Sequence, residues 1–81
     1  MAESLDHINP GNSVRILHIT HGALKPKLLE MGLITGKEIQ VLFKAPFGDP
    51  IAVDVNGYIL SLRLDEASQV MVEPILETVN S

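Results

Sequence analysis

The fold is decided by one stretch, Ile51-Ala52-Val53-Asp54-Val55-Asn56-Gly57-Tyr58-Ile59-Leu60-Ser61-Leu62. Ile51, Val53 and Val55 alternate with Ala52 and Asp54, the period-two pattern of a strand with one buried face. Asn56-Gly57 follows at once, and this pair suits the two positive-φ positions of a type I′ turn, whose twist matches the strands on either side. Tyr58 to Leu62 is therefore expected to return antiparallel, with Gly57 at positive φ.

Working outward, Glu38 to Lys44 alternates in the same way, with Ile39, Val41 and Phe43 on one face, Gln40 and Lys44 on the other, and Leu42 out of step. Val14 to Ile19 reads as the first strand. Val70 and Val72 mark a last one that Pro74 should stop, because proline has no N–H for the ladder. Asn9-Pro10-Gly11-Asn12, Thr35-Gly36 and Phe47-Gly48-Asp49-Pro50 supply the other turns. Lys25 to Met31 breaks the pattern. It holds good helix formers, Pro26 belongs in a first helical turn, and Gly32 supplies the left-handed residue past the end. Leu24, Leu28 and Met31 form an apolar stripe expected to plug one end of a barrel, with Leu28 or Leu29 as the main contact. About five strands and one short helix predict a mainly β chain, a small SH3-like or OB-like barrel.

The 81 residues make room for one domain. Its core is expected over about 5–73, with 74–81 as a C-terminal tail. No disulfide is available, because there is no cysteine. The hydrophobic fraction of 46% and mean hydropathy of +0.24 belong to a core, since no run approaches the ~20 apolar residues of a membrane span. Met1 to Pro10 lacks the pattern of a secretory signal, so a cytoplasmic location is expected. A net charge of −4 opposes attraction to nucleic acid or anionic lipid.

Residues that carry chemistry are sparse. Ser4, Ser13, Ser61, Ser68 and Ser81 lie in no nucleophile elbow or triad context, and no enzyme is expected. His7, His18 and His21 have neither the zincin spacing nor a Cys ligand beside them. Gly48-Asp49-Pro50 lacks the glycines and the Lys-Ser or Lys-Thr of a phosphate loop. No resident cofactor is expected. Lys25, Lys27 and Lys37 mark either a solvated face or a local basic patch. Phe47, one of three aromatic residues, either folds over the barrel mouth or stands out as a partner anchor.

The run Lys27-Leu28-Leu29-Glu30-Met31-Gly32-Leu33, then Gly36, then Lys44-Ala45-Pro46-Phe47-Gly48-Asp49-Pro50, resembles the FeoA family of ferrous-iron transport accessory proteins. Leu5, Ile8, Pro10, Gly11 and Ile16 are similar to the family's opening, and Gly57, Leu60, Leu62, Arg63, Glu66, Ala67, Val70 and Val72 to its close. The resemblance implies an SH3-like barrel in the cytoplasm. It also implies a regulator that binds a membrane ferrous transporter carrying a G-protein-like domain.

Leu28, Leu29, Met31, Gly32, Gly36, Gly48, Pro50 and Gly57 would then hold the fold, and Lys25, Lys27, Phe47 and Asp49 would meet the partner. Thr35 replaces the family's usual proline, and Pro26 a frequent arginine. Similar domains end metal-dependent repressors, but a DNA-reading helix and a basic face do not fit this length and charge. The alternative function is weak Fe²⁺ sensing, with His18, His21 or His7 joined by a carboxylate.

Overall fold

The computed structural model describes residues 2–75. In chain order it holds β1 (Glu3–Ser4), a 3₁₀ turn (Leu5–His7), β2 (Ser13–Ile19), α1 (Lys25–Glu30), β3 (Glu38–Lys44), β4 (Ile51–Val55), β5 (Tyr58–Leu62), α2 (Leu64–Ala67) and β6 (Val70–Pro74). The strands form one antiparallel sheet in the order β1-β6-β2-β3-β4-β5. The β4–β5 hairpin has the expected register, Val55 opposite Tyr58, with φ of 52° at Asn56 and 95° at Gly57. Ile51, Val53 and Val55 are fully buried. They join Ile16, Ile39, Val41, Leu62, Val70 and Val72 in one core on the inner face of the sheet.

Two side chains of β3 depart from the expected alternation. Phe43, expected inward, is 56% exposed, and Lys44, expected outward, pairs with core-facing Ile51. The cause is a register slip between Val41 and Phe43. One extra residue in a strand flips every side chain that follows it. Phe43 therefore lies beside Ala52 on the outer face, which accounts for the burial of that small residue. Lys44, turned inward, donates from Nζ to the Asp6 carbonyl at 2.7 Å.

Among the described residues the sheet has six strands and there are two α-helices, one more of each than the sequence pattern suggests. β1 has two residues and α2 four, too short for either to show a period. β6 runs through Pro74, which pairs with Val14 at the strand's end, where a missing N–H is tolerated. The ladder thus spans Glu3 to Pro74, slightly wider than the expected core. Residues 76–81 of the expected tail lie outside the described residues.

α1 begins with Pro26 in its first turn and ends in a Schellman motif, Leu33 N–H to Leu28 O at 3.2 Å and Gly32 N–H to Leu29 O at 3.0 Å. Leu28 and Leu33 are both fully buried, whereas Leu29 is 41% exposed, so Leu28 is the contact that plugs the barrel. Gly32 has φ of 96°, and a Cβ there would collide with the Tyr58 hydroxyl, which donates to Met31 O at 3.0 Å. This close approach ties the end of α1 to β5.

Leu28→Ala should cost about 2 to 5 kcal/mol of stability through a core cavity, and Leu29→Ala about 1 kcal/mol or less. Denaturant melts in which the two variants lose equal stability would show that α1 does not pack through Leu28. Gly32→Ala should lose about 1 to 2 kcal/mol from backbone strain alone. The displaced Tyr58 hydroxyl should add to that loss, and the addition should disappear in a Tyr58→Phe background.

Candidate partner interface

Two of the four residues singled out for partner contact, Lys27 and Asp49, meet at α2, an element too short to show in the sequence pattern. Asp49 Oδ1 accepts the Leu64 N–H at 3.2 Å, at the start of this helix. Glu66, 2% exposed, accepts the Arg63 N–H at 2.9 Å with Oε1, while its Oε2 accepts from Lys27 Nζ. The β3–β4 loop is thus fastened to one end of α2 and α1 to its side. The sequence held a signal for this helix: Asp65 and Glu66 followed by Ala67, acidic residues in a first turn ahead of the best helix former.

Lys27 and Asp49 are therefore both engaged within the chain, although the Lys27 side chain remains 58% exposed. Lys25 is half-buried at the start of α1 and makes no ion pair among the described residues.

The loop itself is closed by its own backbone. Ala45 O accepts the Gly48 N–H at 2.7 Å, and the Ala45 N–H donates to Pro50 O at 3.0 Å. Pro46 takes the second position of this turn, which its fixed φ favours, and Gly48 follows at φ of 79°. The Asp49–Pro50 peptide is cis. Phe47, at the third turn position, is 95% exposed. Of the two readings of Phe47, the structure gives the exposed one. Leu64, bonded through its N–H to the same loop, adds a further 40% exposed apolar side chain.

The Lys27 ammonium, and after it the Arg63 N–H, hold the Glu66 carboxyl below its ordinary value against the opposing effect of burial. The histidines lie elsewhere. His18 is exposed on β2, His21 exposed before α1, and His7 exposed in the 3₁₀ turn. His7 Nδ1 lies 3.4 Å from Ser4 Oγ, and His7 Nε2 lies 3.7 Å from Asp6 Oδ2. Both contacts are longer than a working nucleophile–base bond. Among the described residues, no three His, Cys, Asp or Glu side chains are grouped to hold a metal ion. No described helix is long and apolar enough to cross a membrane.

A model of the FeoA domain matches residues 3–74. The chain belongs to the FeoA family. It is 32% identical over 78 residues to an Fe(2+) transport protein A/Fe(2+) transporter FeoB fusion protein of Porphyromonas gingivalis, covering 95% of this chain and 9% of that protein. This FeoA chain therefore spans under a tenth of the fused relative. The solution structure of a FeoA-like protein from Clostridium acetobutylicum matches with a TM-score of 0.87 and 36% identity over 99% of this chain and 94% of that one.

FeoA from Stenotrophomonas maltophilia, a prokaryotic SH3 domain protein solved with zinc, matches with a TM-score of 0.76 and 28% identity over 86% and 88% of the two chains. The barrel is SH3-like, as the resemblance implies, and the family is tied to ferrous-iron transport.

Because the folded Glu66 carboxyl is held low, its contribution to stability is complete above the ordinary value of 4.5 and is lost as pH falls through the lowered one. Lys27→Met should cost roughly 1 to 3 kcal/mol at neutral pH by leaving a buried acceptor short of a donor. It should also make Tm fall less steeply on acidification below about pH 5. Thermal melts across that range with the same slope in parent and variant would remove Lys27 from this role.

Proposed function

We propose that this FeoA chain is a non-catalytic cytoplasmic accessory of ferrous-iron uptake. In this reading it binds the cytosolic, G-protein-like domain of a membrane ferrous transporter, without entering the bilayer or contacting nucleic acid. The observation that carries the reading is Phe47, 95% exposed on a turn locked by its own backbone bonds. Aromatic side chains are enriched among the anchors of protein interfaces, and a rigid support lowers the cost of ordering one on binding.

Asp49 sets the loop against α2, where Leu64 adds a second exposed apolar side chain. Lys25 and the exposed part of Lys27 supply a polar rim, where charge steers encounter more than it adds affinity. The Porphyromonas gingivalis relative, in which an FeoA and an FeoB are one polypeptide, supports association with such a transporter.

Phe47→Ala should weaken binding to the transporter's cytosolic domain by about 2 kcal/mol or more and leave Tm nearly unchanged. Titration calorimetry and thermal melts on the same preparation separate the two effects. Undiminished affinity in a folded Phe47→Ala variant removes the loop from the interface.

A further inference from the structure

β5 ends the strand order and has β4 as its one sheet neighbour. The two-residue turn closes on Val55 opposite Tyr58, so Tyr58, Leu60 and Leu62 direct their backbone groups to β4, while Ile59 and Ser61 direct theirs outward. Among the described residues, no other backbone group meets those of Ile59 or Ser61. Natural sheets guard such an edge with lysine, proline, a bulge or a covering segment, or keep it very short. The opposite edge, β1, is short at two residues. β5 reads Tyr-Ile-Leu-Ser-Leu, without charge or proline, and its ladder runs without a slip. Ile59 is 68% exposed and Tyr58 46%.

We propose that the β5 edge pairs with the β5 edge of a second copy of this chain, antiparallel, about a two-fold axis at Leu60. In this register Ile59 faces Ser61 of the second copy, Tyr58 faces Leu62 and Gly57 faces Arg63. The outward backbone groups of Ile59 and Ser61 all gain partners, and the two Ile59 side chains lie diagonally on one face.

Charge favours a second copy over an unrelated extended chain. Asp54 stands beside Ile59 on β4 and accepts the Gly57 N–H at 2.8 Å. Arg63, extended at φ −73° and ψ 157°, continues the face that carries Ile59 and Ser61. The two-fold axis brings Arg63 of each copy toward Asp54 of the other, so the complementarity occurs twice. Within one chain Arg63 Nε lies 3.7 Å from Asp65, but both side chains are well exposed, and such a contact is easily exchanged. The pairing uses no residue of the Phe47 loop and stands apart from the transporter reading. Two strands of this length cover little beside the roughly 1,200 Å² of stable interfaces, so the association is weak and concentration-dependent.

Sedimentation equilibrium from about 10 μM to about 1 mM, with amide exchange at both ends of the range, tests the pairing. The mass should rise toward that of a dimer, and the Ile59 and Ser61 amides should gain protection on concentration. Ile59→Lys should weaken the association at least about tenfold without unfolding the chain. Arg63→Glu and Asp54→Lys should each abolish self-association, because each homodimer sets like charges together, and a mixture of the two folded variants should associate again. A parent that stays monomeric at the highest concentration overturns the proposal. So does a dimer with unprotected Ile59 and Ser61 amides, or an Ile59→Lys variant that pairs like the parent. A monomeric parent whose transporter binding is lost on Ile59→Lys would give the edge to a strand of that partner instead.

Discussion

A carboxylate held almost out of water has to be met by donors, and those that meet Glu66 come from separate parts of the chain. The Arg63 N–H lies three residues before it, and the Lys27 ammonium belongs to a helix 39 residues away. Burying that charge would be costly without both. The requirement fixes α2 against α1, and through Asp49 and the Leu64 N–H it fixes the β3–β4 loop as well. A helix of four residues has no stability of its own. It persists because the carboxylate on it has nowhere else to find partners.

The barrel's curvature has a comparable local origin. The ladders slip once between Ile16 and His18 and once between Val41 and Phe43. Each bulge bends its strand and increases its twist, which lets a sheet of short strands wrap around one core without a disulfide. The second bulge also moves Phe43 to the outer face and brings Lys44 across to the 3₁₀ turn. The strand that carries the Phe47 loop is thereby tied to the opening segment of the chain.

The sequence was most readable where structure is local. The Ile51 to Leu62 hairpin follows from alternation and Asn56-Gly57, and α1 from Pro26 at one end and Gly32 at the other. Phe43 and Lys44 were misplaced because a bulge depends on how β4 accommodates β3, which no period within β3 records. β1 and α2 escaped because their stability is tertiary. Phe47 was legible as a candidate, but its exposure was set by a turn that closes through Pro50. Lys27 and Asp49 were legible as charged groups near loops, yet their nearest partners lie on a helix too short for its apolar period to show.

One feature of the sheet bears on how such a barrel can be joined to other proteins. Glu3 pairs with Val72 and Val14 with Pro74, so the first and last strands lie side by side. The outer ends of β1 and β6, at Glu3 and Pro74, therefore lie on the same side of the barrel. A fusion before β1 and one after β6 thus start from neighbouring points of the sheet, so the order of the two parts in a gene changes little in where they join.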